Sequence, residues 1–175
     1  MRLVQTIAAA LAAGSLAACS APRGSESAQG TPAAAAQPTA DTPAASAVVA
    51  ANLPAMTVYK SPTCGCCQNW VDHVQAAGFK VTVRDTMDVN PVKRQYGVAD
   101  SLHSCHTAVV NGYVVEGHVP AADIVRMLQE RPRIAGIAVP KMPVGSPGME
   151  MGDTKQPYEV IAFTKGGASS VYAKH

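Results

Sequence analysis

The tightest constraint on this chain is the run Cys64-Gly65-Cys66-Cys67, which sets three thiols within four residues. It follows an apolar stretch, Met56 to Tyr59, and precedes a helical pattern, so it lies at a strand-to-helix turn. Pro62 and Thr63 punctuate that turn, and Thr63 is the expected N-cap. The free backbone N–H groups and the positive end of the helix dipole there favour thiolate over thiol. A thiolate is both a nucleophile and a metal ligand, and the rest of the chain must decide between those roles.

The elements around the motif can be read in order. Met56 to Tyr59 is the first strand. A helix from Cys66 carries Cys67, Trp70, Val71, Val74 and Ala77 on one face, with Gly78 as its C′ residue. Phe79 to Val83 alternates as a second strand. Asn90-Pro91 caps a short helix that runs to Tyr96 and Gly97. Thr107 to Val110 and Tyr113 to Val115 flank Asn111-Gly112, the signal of a type I′ hairpin. Pro120 opens a third helix with Ile124, Met127 and Leu128 inward, and Pro132 stops it. This order is that of an α/β fold, a thioredoxin-like sheet with flanking helices. A long Pro/Gly-rich loop, Arg133 to Pro157, comes next and reads as functional or disordered. Tyr158 to Phe163 and Ser169 to Tyr172 then form a C-terminal β-hairpin whose relation to the sheet is open.

Ahead of this domain the composition changes. Residues 1–18 combine Arg2 with a short apolar stretch, too short to span a bilayer, and read as a lipoprotein signal peptide. Leu16-Ala17-Ala18-Cys19 resembles a bacterial lipobox, whose rule makes Cys19 the lipidated mature N-terminus; Ser20 suits sorting to the outer membrane. An ordinary secretory signal cut near Cys19 is the alternative. Residues 19–52 are rich in Ala, Pro and Ser and nearly lack large apolar side chains, so they form a disordered tether. The metal-binding domain is then 53–175. The protein is expected in the periplasm, held to the membrane through Cys19. A net charge of +2, with no basic stripe, gives nucleic-acid binding no support.

Of the five cysteines, lipidation of Cys19 leaves Cys64, Cys66, Cys67 and Cys105. Two structural disulfides are the default for an exported even set, but the spacing resists it. Adjacent Cys66 and Cys67 bond to each other only with strain, and Cys64 to Cys67 across one turn would be a labile redox disulfide. In a thioredoxin-like fold the loop Leu102 to Thr107 faces the cysteine helix. Cys105 then supplies a fourth sulfur, and His106 takes the place of the cis-proline. Four soft thiolates suit Cu(I), Zn(II) or an iron–sulfur cluster. One crowded trio with one distant cysteine is unlike paired zinc knuckles, and iron–sulfur centres are generally loaded in the cytoplasm. Multinuclear copper, as Cu(I), is the leading expectation.

Auxiliary ligands are weaker candidates. His106 adjoins Cys105, and His103 is two residues away. Met149 and Met151, with Met142, offer soft thioethers in the long loop. His73 lies about 10 Å along the helix from Cys66, which favours an outer role. Met127 fits the helix core, and His118 and His175 look ordinary.

Three motifs in order, Cys64-Gly65-Cys66-Cys67 with Trp70, Val71 and His73, then Ser104-Cys105-His106-Thr107, then Met142-Pro143 through Gly145-Ser146-Pro147-Gly148-Met149-Glu150, resemble the CopG-type periplasmic copper-resistance proteins, long catalogued as a domain of unknown function. The likeness runs from Leu53 to His175. It implies a thioredoxin-like domain whose cysteines 64, 66, 67 and 105 bridge a multinuclear copper cluster. It also implies copper handling with periplasmic partners, with a Cu(I)/Cu(II) redox change as one form of it. A copper oxidoreductase is thus an open reading, with sequestration favoured over turnover. The rival is a thiol–disulfide oxidoreductase in which Cys64 attacks and Cys67 resolves; Cys66 and the absent proline count against it. A zinc-stabilised interaction module is third.

Overall fold

The computed structural model describes residues 53–175, so the expected signal peptide, Cys19 and the tether lie outside the described residues. Among the described residues no helix is long and apolar enough to cross a membrane.

The chain begins with β1 (Met56–Lys60), α1 (Gly65–Ala76), β2 (Val81–Asp85) and α2 (Asn90–Gln95). After a 3-10 turn at Asp100–Leu102 come β3 (Thr107–Val110), β4 (Tyr113–Glu116) and α3 (Ala121–Glu130). It closes with β5 (Gly136–Ala138), β6 (Glu159–Phe163) and β7 (Ser169–Lys174). All seven strands form one mixed sheet in the order β2-β1-β3-β4-β5-β6-β7. The pairs β1/β2 and β4/β5 are parallel, and the others are antiparallel.

Alternation along the strands splits the core into two layers, one on each side of the sheet. Val115, Ile137 and Ala162 face a cluster with Trp70, Val71 and Val74 of α1 and Ile124 and Met127 of α3. Their neighbours Val114, Ala138 and Phe163 face a smaller cluster with Val98 and Leu102. Trp70 anchors the larger layer: it is wholly buried, and its Nε1 donates to the Val119 carbonyl at 2.9 Å. Truncating a ring so placed typically costs about 3–5 kcal/mol.

Several boundaries differ from the sequence reading. The cap of α1 is Cys64, not Thr63: its Sγ accepts from the Cys67 N–H at 3.3 Å, while the Thr63 and Ser61 hydroxyls pair 3.1 Å apart in the turn. Val89 rather than Asn90 precedes α2, and the second strand starts two residues later than Phe79. The stretch read as a single long loop contains β5, and through β5 the C-terminal hairpin joins the main sheet. The hairpin at Asn111-Gly112 has φ of 47° and 83°, the left-handed pair that a type I′ turn requires.

Candidate metal centre

Strand direction decides what meets what. β1, β4 and β5 run the same way, so the chain leaving β1 towards α1, the loop entering β3 and the chain leaving β4 and β5 all gather at one end of the sheet. That end holds Cys64, Cys66 and Cys67 from the start of α1, Cys105 and His106 from the loop before β3, and His118 just after β4. The four sulfurs all lie within 4.8 Å of one another.

The sulfurs are not equivalent. Cys64 and Cys67, three residues apart, are joined as a disulfide, whereas Cys66 and Cys105 are free. The expectation of four thiolates thus meets two thiols and one disulfide. The pairing is the one the spacing across a single helical turn allows, and Cys64 and Cys67 must be reduced before they can ligate a cation. Cys66 Sγ stays 3.5 Å from Cys64 Sγ, close enough to exchange with it.

Cys105 has a second set of neighbours. Its Sγ lies 3.3 Å from His106 Nδ1 and 3.0 Å from His118 Nε2, and both rings are wholly buried. His118 Nδ1 sits 2.8 Å from the Pro147 carbonyl, which can only accept, so Nδ1 carries the proton and Nε2 turns its lone pair to the sulfur. His106 leans on Trp70 with ring centroids 4.4 Å apart, and its Nε2 has no hydrogen-bond partner among the described residues. Burial lowers the pKa of His118 and, with His118 and Lys93 nearby, takes His106 well below the ordinary value, so both rings are neutral donors near pH 7. Burial, reinforced by Cys66, pushes the Cys105 thiol up to about 12. A thiol so poised is a poor free nucleophile, but a bound cation would displace its proton.

The loop bearing Cys105 is fixed by a buried charge pair. Lys93 Nζ of α2 meets Glu116 Oε1 and donates to Thr107 Oγ1 at 3.1 Å. Glu116 also accepts from the Ser104 N–H at 2.7 Å and from the Thr107 hydroxyl at 2.7 Å. Every carboxylate oxygen is therefore satisfied, and the residue before Cys105 is tied to the end of β4.

The long loop forms the other wall. Gly148 has φ of 84°, and a Cβ there would come within 2.7 Å of the Cys66 carbonyl and 2.8 Å of the Trp70 nitrogen, so only glycine lets the loop lie on the start of α1. Met149, half-buried, follows directly. Met151 is 64% exposed and Met142 48% exposed, so both turn largely to solvent. His103 points to the Val98 carbonyl at 3.2 Å. His73 accepts from the Ala121 N–H at 3.1 Å, an outer role at the start of α3. His118 looks ordinary in the sequence, yet its Nε2 lies at the Cys105 sulfur. The signal that could have found it is the hairpin itself: Thr107 pairs with Glu116, and the register carried two places further sets Cys105 opposite His118.

Comparison with known proteins follows the same lines. The family described as "Protein of unknown function, DUF411" matches residues 102–149. No curated protein matches the chain. A solved structure titled "Copper resistance protein copG- Form 1" is 50% identical, with a TM-score of 0.67, and the match covers 71% of this chain and 98% of that one. A second, "Copper resistance protein copG- Form 2", is 49% identical, with a TM-score of 0.68 and coverage of 71% and 99%. The mixed sheet, the motif order and this identity together mean that the chain belongs to the CopG copper resistance protein family.

Proposed function

We propose that this protein binds copper outside the cytoplasm and contributes to copper tolerance by holding Cu(I) in a multinuclear cluster bridged by Cys64, Cys66, Cys67 and Cys105. The observation that carries this reading is the convergence of four sulfurs, from segments 38 to 41 residues apart, within 4.8 Å. Sulfur donors are soft, and Cu(I) accepts two- or three-coordinate positions that bridging thiolates supply. The copper role of the related structures, named for copper resistance, supports the choice of metal. His106 and Met149 are auxiliary donors at the rim of the cluster, with Met151 more remote. Lipid at Cys19 and the tether of residues 19–52 would set the domain in the periplasm at the outer membrane, within reach of periplasmic copper-handling partners.

The disulfide favours a second reading, thiol–disulfide exchange with Cys64 attacking and Cys67 resolving. Two features weigh against it. Cys66 Sγ lies 3.5 Å from Cys64 Sγ as a competing thiol, and His106 stands in the loop before β3 where a cis-proline would be expected, packed with His118 against Cys105.

Metal analysis of protein from copper-supplemented cells, with thiol titration on the same sample, separates the readings. More than one copper per chain with protected thiols is the expected result. A metal-free Cys64–Cys67 disulfide that turns over a model peptide would replace the first reading with the second, and a single zinc would replace both.

A further inference from the structure

The long loop between β5 and β6 is bonded mainly to itself. Across its neck the Gln156 N–H donates to the Val144 carbonyl at 2.9 Å and the Val144 N–H to the Gln156 side chain at 3.0 Å, and Gly145 bonds to Met149 and Thr154 to Met151 within it. From residue 142 to 157, the one hydrogen bond that leaves the loop among the described residues is the one the Pro147 carbonyl accepts from His118. A loop closed on itself in this way moves as a unit. Below the neck its two stems stand apart, Pro140 to Pro143 on one side and Gln156 to Glu159 on the other, around a cavity of about 480 Å³. We propose that residues 142–157 move as one flap over the start of α1, and that His175, clasped to Asp123 and Tyr158 at the flap's root, holds it shut and so sets access to Cys66. The proposal rests on the copper-binding reading only where copper exchange is concerned.

The flap is tied at its roots. Just past β7, His175 exchanges both backbone hydrogen bonds with Tyr158, at 2.9 and 3.0 Å, and its ring stacks on the tyrosine with centroids 5.1 Å apart. The same ring reaches Asp123 on α3, Nε2 to Oδ2 at 2.7 Å, and Arg126 donates to the other carboxylate oxygen at 3.1 Å. The clasp thus joins the flap's exit to the first turn of α3. Its entry is held where the Lys141 N–H donates to the His103 carbonyl at 3.0 Å and the Ser104 hydroxyl donates to the Lys141 carbonyl. What the flap covers is the cysteine end of α1: Gly148 lies so close to the Cys66 carbonyl and the Trp70 nitrogen that a Cβ has no room. Every residue from 151 to 157 is exposed, so the roots and the Pro147–Gly148 contact are what resist its lifting.

The test uses the full chain, metal-free and with the Cys64–Cys67 bond closed, and follows alkylation of Cys66 by iodoacetamide through the mass of its peptide. His175→Ala and Asp123→Asn should each speed labelling at least about fivefold, the order of factor that a hydrogen bond to a charged group supplies. Gly148→Ala, whose methyl would meet the Cys66 carbonyl, should speed it without touching the clasp. Hydrogen exchange in β1, β3 and β4 should keep its wild-type rate, which separates opening from unfolding. Should His175→Ala loosen those strands as well, Asp123→Asn decides. Labelling at the wild-type rate in both clasp variants refutes the clasp, and at that rate in all three variants it refutes the flap. In copper-loaded protein the clasp variants should pass Cu(I) to a chromophoric chelator faster by a similar factor, with the copper per chain unchanged. Faster labelling with unchanged transfer would overturn the flap's part in copper exchange. A chain that binds no copper would overturn the copper-binding reading, with the labelling rates still deciding the flap.

Discussion

Cys105 is the residue on which both donor groups turn. Its sulfur lies in the four-sulfur set and also touches two neutral imidazoles, and burial holds its proton on until something replaces it. Serine in its place keeps the size but offers a hard oxygen, with little affinity for Cu(I). Cys105→Ser should therefore lower the copper carried per chain, read by metal analysis after gel filtration of reduced, copper-loaded protein. The fold should survive, since a substitution of this kind typically costs about 1 kcal/mol. Loading equal to wild type would remove Cys105 from the cluster. Its histidine partner shows what one sequence can hide: nothing local marks His118, and only chain reversal at Asn111-Gly112 brings it beside a cysteine thirteen residues earlier.

At the scale of elements, the site depends on how the loop before β3 is held. The Lys93–Glu116 pair is buried on both sides, and its carboxylate also fixes Ser104 and Thr107. Lys93→Met removes the cation and strands a buried carboxylate, which should cost about 3–5 kcal/mol, read as a lower denaturation midpoint. Restoring neutrality with Glu116→Gln in the same chain should recover part of that loss. If the single variant is as stable as wild type, the pair is not what secures the loop. Elements with strong local signals were legible in the sequence: the hairpin through its left-handed turn pair, α1 through the Trp70, Val71 and Val74 face, and the end of α3 through Pro132. The strand β5 was not, because three buried residues show no alternation and their parallel partners in β4 lie 22 residues back. The cap of α1 was missed for a different reason. Thr63 has the better intrinsic preference, but its hydroxyl is engaged by Ser61, and the helix begins one residue later on a sulfur.

For the whole domain, the same burial that makes the site a set of neutral donors makes metal-free stability depend on pH from both sides. His106 and His118 have folded pKa values below 6.5, so the unfolded chain binds more protons than the folded one once pH drops under that value. Their contribution is fully present above about pH 6.5 and is lost as pH falls towards the folded values. Cys105 works in the opposite sense. Its folded pKa is about 12 against an ordinary 9.0, so between those values the folded state holds a proton that the unfolded chain gives up, and stability falls as pH rises. Metal-free, disulfide-closed protein should therefore be most stable between about pH 7 and 9, with a lower Tm on either side. Replacing Cys105 with serine should flatten the alkaline limb and leave the acid limb in place. An acid limb that vanishes in that variant would mean the histidines are held neutral by the cysteine rather than by burial, and the donor set would have to be read as a single coupled group.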